Sequence, residues 1–272
     1  MTAEATSTGT EQLLAERDGY VLVLTLNRPD RLNAISGPML RALSEQLVAA
    51  NRDPGVRVVL LTGAGRGFCS GLDLVDQQRA SSGGEAAARR AWQPFDLRDA
   101  PPVVLHRMDK PVICALNGAA AGYGMDLALL CDIRIAGESA KIAPVMVKRG
   151  VLPESGGNWL LPRLVGWGRA SEILFRGRVL GAQECLGLGL VNRVVPDEAL
   201  MMTALEWAHE IAENAPLAVQ ATKRMMRLGL EETFETTVDH LAVYLSPLFA
   251  SDDFKEGVRA FLERRDPRFE GR

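Results

Sequence analysis

Hydrophobic residues in the first half of the chain fall into short runs that alternate with stretches of helical spacing. Residues 20–26 alternate in polarity and include β-branched side chains, which predicts a strand. Over 37–51 the apolar residues recur three or four positions apart, which predicts an amphipathic helix. The other predicted elements of this half are strands at 56–62, 111–116 and 132–136 and a helix at 123–130. Such alternation predicts an α/β core with crossover connections.

Beyond about Gly156 the pattern changes to helices. Pro196 and Asp197 mark the start of a long predicted helix that runs through Asn214. Further helices are predicted at 216–228, 231–245 and 253–264. We therefore predict a flexible N-terminus at 1–10, a core at 11–195 and a C-terminal helical subdomain at 196–272. This subdomain is expected to pack on the core or on a neighbouring subunit.

Composition and charge narrow the function classes. The 272 residues are 47% hydrophobic and 24% charged, which is ordinary for a globular protein. The net charge of −3 provides no basic surface, so neither nucleic acid nor an anionic membrane is an expected partner. The four cysteines form no C-x-x-C motif, so no metal site is expected. With no transmembrane-length apolar run and no basic N-terminal leader, we expect a cytoplasmic protein.

A glycine-rich segment at 117–128 carries the clearest chemical signal. It follows the predicted buried strand 111–116 and leads into the predicted helix 123–130. Strand, glycine turn and helix start together place backbone N–H groups at the positive end of a helix dipole, where they stabilise a negatively charged oxygen. Asp126 stands in the first turn of that helix, either as a proton-transfer group beside an enolate or as an acid that offsets the helix dipole.

Further segments with characteristic sequences lie at 27–34, 67–74, 117–132, 152–157, 181–191 and 251–257. Taken in order, they resemble those of the crotonase superfamily, the enoyl-CoA hydratase/isomerase family. The resemblance implies an α/β fold with a spiral core of repeated β-β-α units and a C-terminal helical subdomain that serves trimerisation and pocket closure. It also implies an acyl-CoA thioester substrate, no cofactor apart from the coenzyme A of that substrate, and a homotrimer or a dimer of trimers.

The resemblance also assigns site residues. The backbone N–H groups of Leu72 and Tyr123 fall at the positions that form the family's oxyanion hole. Apolar residues at 92, 95 and 146 are candidates for an acyl pocket, and a loop at 77–90 is a candidate lid, although apolar residues are more often plain core. The candidate residues for binding the substrate and coenzyme A are Arg28, Arg31, Ala34, Ser70, Leu72, Asp73, Leu74, Tyr123, Gly124 and Met146. Asp73 is also a candidate helix cap.

The acids depart from the usual hydratase pattern. The resemblance to hydratases implies two catalytic glutamates. Asp126 aligns with the first of them, but Met146 stands at the second position and cannot carry a proton. Glu154 appears instead, in a segment similar to that of phenylacetate-pathway ring-epoxide isomerases and dienoyl-CoA isomerases. We predict an isomerase that shifts a double bond, with Glu154 as the main base and Asp126 as its partner. A hydratase that uses the same two acids and a non-catalytic acyl-CoA-binding protein are the alternatives.

Overall fold

The computed structural model of the chain describes residues 4–73 and 100–272. Within these ranges the strands form two sheets, one of seven strands and one of four. The strands are β1 (Glu4–Thr6), β2 (Leu13–Asp18), β3 (Val21–Leu26), β4 (Val58–Gly63), β5 (Gly67–Cys69), β6 (Val112–Leu116), β7 (Ala119–Ala121), β8 (Ile133–Gly137), β9 (Lys141–Ala143), β10 (Leu180–Gly181) and β11 (Arg193–Val195).

The larger sheet has the strand order β1-β2-β3-β4-β6-β8-β11, and the smaller one has the order β10-β9-β7-β5. The pairs from β3 through β11 in the larger sheet are parallel, whereas β1, β2 and β3 pair antiparallel. Every residue of β4 and β6 is buried, because a parallel sheet is covered on both faces. That burial explains why these strands are continuous apolar runs in the sequence.

In its described part, the chain passes three times from the larger sheet to the smaller one. β4 lies in the larger sheet and the following β5 in the smaller one, and the pairs β6–β7 and β8–β9 repeat this step. The parallel pairs β5–β7 and β7–β9 stack the repeats on one another. The core is therefore a spiral of β-β-α units, as the family resemblance implies.

The described helices surround these sheets and dominate the C-terminal part. After β11 the chain is helical, except for short connections and the C-terminal tail. The helices are α1 (Gly37–Arg52), α2 (Pro101–Arg107), α3 (Tyr123–Leu130), α4 (Gly157–Val165), α5 (Trp167–Arg176), α6 (Ala182–Gly187), α7 (Leu200–Ala212), α8 (Pro216–Gly229), α9 (Phe234–Ala250) and α10 (Asp252–Glu263).

Helix α1 shows how the sequence pattern becomes packing. Ser36 precedes the helix in an extended conformation, and its hydroxyl accepts a hydrogen bond from the Met39 N–H. Met39, Leu43 and Leu47 recur at the spacing of one helix face and are fully buried in the main core. The predicted helix 37–51 thus differs from the observed one by a single residue at its end.

Helices α7 and α9 differ sharply in what they cover. Leu200, Ala204, Ala208 and Ala212 of α7 repeat every four residues and are buried against the strands of the larger sheet. The small alanine side chains let this helix approach the sheet closely. By contrast, no residue of α9, which the structure describes in full, is buried.

Part of the N-terminus forms a strand. Within the segment 1–10, which we predicted to be flexible, Glu4–Thr6 form β1 and pair antiparallel with Ala15, Glu16 and Arg17 of β2. β2 was not predicted, because its second half is charged and only Leu13 and Ala15 mark a buried face. No helix in the described ranges is long and apolar enough to cross a membrane.

Candidate active site

Two turns, one after β5 and one after β7, meet at the start of α3. Gly71 has a φ of 103°, a conformation that favours glycine, and it lets the chain turn after β5. A Cβ added at Gly71 would lie 3.0 Å from the Ala121 carbonyl oxygen and 3.6 Å from the Tyr123 nitrogen. The backbone of the first turn therefore lies directly against the N-terminus of α3.

Gly124 fixes the same approach from the other side. A Cβ at this position would overlap the carbonyl oxygen and the Cβ of Cys69. The first turn of α3 is thus in backbone contact with the end of β5, and only glycine fits at that contact. Gly124, predicted as a binding residue, serves here to bring the two turns together.

The backbone N–H groups of Leu72 and Tyr123 both remain available at this junction. Ile35 donates its N–H to Gly71 O and accepts from Asp73 N, at 2.8 Å and 2.9 Å, so the Leu72 peptide faces away from this bridge. Tyr123 is the first residue of α3, where a helix leaves its N–H groups unpaired. Within the described residues, neither N–H donates to a protein group. Two such donors side by side can stabilise an oxyanion.

Two asparagines hold the loop that precedes β5. The Asn33 amide donates to the carbonyls of Ala64 and Gly67 at 2.9 Å and 2.7 Å. The Asn117 side chain accepts the Gly63 N–H through Oδ1 at 3.1 Å. Asn33 is fully buried and has a φ of 55°, which asparagine tolerates better than most residues. The sequence places both residues in family-like segments, but their structural role appears only when β4, β5 and β6 come together.

Arg28 and Asp73 form an ion pair within the site. Arg28 Nη1 lies 3.0 Å from Asp73 Oδ2 and donates to the Ala34 carbonyl at 2.6 Å. This pair holds the Leu72 turn against the 28–34 segment, so Arg28 is engaged with the protein. The helix that we expected Asp73 to cap lies outside the described residues, as do Leu74, the 77–90 loop, Trp92 and Phe95.

Arg31 and Ser70 lie on the outer side of this turn. The Arg31 side chain is exposed and makes no ion pair with a described carboxylate. The Ser70 hydroxyl donates to the Arg31 carbonyl at 3.3 Å. An exposed guanidinium at the rim of the site suits the phosphates of a ligand.

Asp126 is the buried acid of the site. It is 1% exposed, and its Oδ2 accepts the Ser155 N–H at 3.2 Å. Oδ1 is buried without a hydrogen bond of normal geometry, and the backbone of Gly157 packs against it so closely that a Cβ there would overlap the carboxylate. Burial raises the pKa of Asp126 to about 7, and the nearby Glu154 charge adds to the rise while the Ser155 N–H opposes it.

Glu154 lies in the turn before α4, next to the residue that contacts Asp126. It is exposed, and its negative charge contributes to the raised pKa of Asp126. Gly156, with a φ of 105°, turns the chain into α4, and Asn158 donates to the Pro153 carbonyl at 2.8 Å to hold this turn. The structure therefore brings together the two acids, which lie in separate sequence segments.

Met146, unlike these acids, is an apolar residue of the core. It begins a short 3₁₀ helix, is 4% exposed and belongs to the main hydrophobic core. Its thioether cannot transfer a proton. The described ranges also contain no group of three His, Cys, Asp or Glu side chains that could hold a metal ion.

Comparison with known proteins places this geometry in a family. A sequence model described as enoyl-CoA hydratase/isomerase matches residues 16–272. The chain belongs to the enoyl-CoA hydratase/isomerase family. It is 39% identical to 1,2-epoxyphenylacetyl-CoA isomerase of Escherichia coli K12, over 96% of this chain and 99% of that protein. It is 36% identical to 2,3-dehydroadipyl-CoA hydratase of the same organism, over 96% and 99%.

Solved structures agree with the sequence matches. The enoyl-CoA hydratase from Bacillus anthracis superimposes with a TM-score of 0.88 at 34% identity, covering 96% of this chain and all of that one. A probable enoyl-CoA hydratase/isomerase from Mycobacterium abscessus gives 0.87 at 36% identity, covering 96% and 99%. The fold, the crotonase family and the enzymatic class of the chain follow from these matches. The matching proteins include both isomerases and hydratases, so the family alone does not fix the reaction.

Proposed function

We propose that this enzyme shifts a double bond in an enoyl-CoA. The observation that supports this best is a pair of neighbouring carboxylates, Asp126 and Glu154, beside two available N–H donors. Met146 stands where the resemblance to hydratases implies a second catalytic glutamate. Isomerisation needs no added water, so it tolerates the loss of that glutamate. The similarity to 1,2-epoxyphenylacetyl-CoA isomerase points in the same direction.

In the proposed reaction, the Glu154 carboxylate removes a proton from the carbon between the thioester carbonyl and the double bond. The C–H electron pair forms a C=C bond to the thioester carbon, and the π electrons of the C=O bond move onto the oxygen, which becomes an enolate oxygen. The Leu72 and Tyr123 N–H groups donate to that oxygen and lower the barrier. The proton then returns at the other end of the conjugated system, and the double bond has moved with no change in mass.

Asp126 is suited to share this proton. A carboxyl group with a pKa of about 7 is partly protonated at neutral pH, so it both donates and accepts protons with little cost. The exposed Arg31 is proposed to meet the phosphates of coenzyme A, and no cofactor other than this part of the substrate is required.

The E154Q variant tests the assignment of the base. We expect it to lower kcat for a 3-enoyl-CoA by about 100-fold, because glutamine keeps the shape of the side chain but cannot accept the proton. The product is followed by mass and by the absorbance of the conjugated thioester. E172Q is a matched control, since Glu172 is an exposed residue of α5 that pairs with Arg176. An E154Q enzyme with full isomerase activity would refute the role of Glu154.

Hydration is the second candidate, because the acids lie together and the chain is also similar to 2,3-dehydroadipyl-CoA hydratase. A 2-trans-enoyl-CoA distinguishes the two reactions. A gain of one water by this substrate would show that Asp126 and Glu154 can hold and activate water. Binding of both substrates without turnover would instead support a non-catalytic acyl-CoA-binding protein.

We also propose that the protein assembles as a homotrimer or a dimer of trimers. Support comes from α9, whose residues Phe234, Val243 and Phe249 are more than half exposed in the single chain. Exposed apolar side chains grouped on one helix are typical of an interface. Light scattering on the purified protein is expected to give three or six times the mass of the chain. A monomer at micromolar concentration would contradict this proposal.

A further inference from the structure

The Tyr123 side chain is a feature of the site that the proposed proton transfer does not use. Its backbone N–H is proposed to form part of the oxyanion hole, but its phenol has no role in that reaction. The residue is 7% exposed, and its hydroxyl is buried without a hydrogen-bond partner in the described part of the chain. A buried hydroxyl almost always has a partner in folded proteins, so this one calls for an explanation.

The surroundings of the hydroxyl indicate what can reach it. Burial holds the pKa of the hydroxyl well above its ordinary value, and Cys69, Asp126 and Glu154 add to the rise. The phenol is therefore a neutral donor at physiological pH. Because the proposed reaction requires these two acids to face the acyl carbons, a hydroxyl close to them is expected on the acyl side of the site.

The phenol is also held in place. Tyr123 lies in the first turn of α3, which is in backbone contact with β5 through Gly124. It belongs to the main hydrophobic core, as does the fully buried Cys69. A rigid, desolvated donor with no protein acceptor is arranged to bind an acceptor that arrives with the ligand.

We propose that the Tyr123 hydroxyl is a specificity-determining hydrogen-bond donor that binds an oxygen atom on the acyl group, so that the enzyme prefers an oxygenated acyl-CoA to a hydrocarbon one. This inference rests on the proposed acyl-CoA site. The acceptor is a hydroxyl, carbonyl or ether oxygen beyond the thioester. A purely hydrocarbon chain would leave the phenol unpaired in the complex, whereas an oxygenated chain satisfies it.

Titration calorimetry with saturated ligands tests the preference without turnover of a double bond. The probes are butyryl-CoA, 3-hydroxybutyryl-CoA and 4-hydroxybutyryl-CoA, which share the coenzyme A part and the chain length. The wild-type enzyme is expected to bind at least one hydroxylated probe about 10-fold to 100-fold more tightly than butyryl-CoA. Thioester conjugation absorbance reports any dehydration during the titration.

The Y123F variant removes only the hydroxyl, and the ratio of the two dissociation constants is expected to fall to about one. Y20F is the matched control, because Tyr20 is half-exposed and stacks with Arg57; it should leave the ratio unchanged. Because Y123F removes an unpaired buried group, its thermal stability is expected to equal or exceed that of the wild type.

Three outcomes would overturn the inference. A wild type without preference for either hydroxylated probe, a preference that survives in Y123F, or a Y123F enzyme that loses affinity for all probes equally would each show that the phenol only packs the site. If the wild type binds none of the coenzyme A esters, the proposed acyl-CoA function itself fails. That result is distinct from the loss of the preference alone.

Discussion

Replacing Gly124 with alanine is expected to lower kcat by about 1000-fold, at the upper end of what the loss of one oxyanion donor costs. The added methyl group has no room, since it would overlap the Cys69 carbonyl. To relieve the clash, α3 must move away from β5. That movement separates the Tyr123 N–H from the Leu72 N–H, so the two donors no longer converge on one oxygen.

Stability should fall together with activity. Forcing a methyl group into a packed backbone contact costs about 1–3 kcal/mol of the free energy of unfolding. The measurement is kcat on a 3-enoyl-CoA together with the urea midpoint of the purified variant. Steady-state turnover is corrected for the folded fraction, so that lost folding is not mistaken for lost catalysis.

Gly168 offers a matched control for the same chemical change. It lies near the start of α5, and a Cβ there would meet no atom within 4 Å. G168A should keep full turnover and gain up to about 1 kcal/mol, because alanine is the better helix residue. A G124A enzyme that turns over like G168A would show that the contact between α3 and β5 does not set the oxyanion geometry.

The sequence predicts local elements best where a single pattern decides them. The predicted helix 123–130 coincides with α3, because a glycine turn marks its start and the apolar run 127–130 leads to its end. The predicted strands 56–62 and 111–116 match β4 and β6 to within two residues, since central parallel strands are uniformly apolar. The three-residue strands β5, β7 and β9 were not predicted, as such short segments show no periodicity.

The parts of the site that depend on long-range contact could not be predicted from the residues alone. The pairing of Arg28 with Asp73 joins positions that are 45 residues apart in the sequence, and it supports the Leu72 turn. The hydrogen bond from the Asn33 amide to the Gly67 carbonyl likewise joins residues that are far apart in the sequence. Both acids were predicted, but that Asp126 is buried and Glu154 exposed emerges only from the packing of α4 on α3.

The burial of Asp126 leads to the second large prediction, which joins stability to pH. The pKa of this group is about 7 in the folded protein, above the ordinary value of 3.8. The folded state therefore binds the proton more tightly than the unfolded state does. The stabilisation is fully present below about pH 4 and is lost as the pH rises through 7. At about 1.4 kcal/mol for each pKa unit, the loss amounts to about 4 kcal/mol.

The D126N variant does not titrate, so it should escape this loss. We expect it to be more stable than the wild type by about 2 kcal/mol at pH 5, where part of the stabilisation is already lost, and by about 4 kcal/mol at pH 8. Urea unfolding at both pH values, at one protein concentration so that assembly contributes equally, measures the difference. D30N is the control, because Asp30 is exposed and lies outside the acid pair.

The same substitution should cost activity. Asparagine cannot take or return the proton, so kcat on a 3-enoyl-CoA is expected to fall by up to about 100-fold, no more than in E154Q. A gain in stability at pH 8 with a loss of turnover would show that Asp126 is kept ionisable in a site that disfavours its charge, which is the usual trade between function and stability. A D126N enzyme that is less stable than the wild type at pH 8 and equally active would instead show that Asp126 serves only to hold the Ser155 turn.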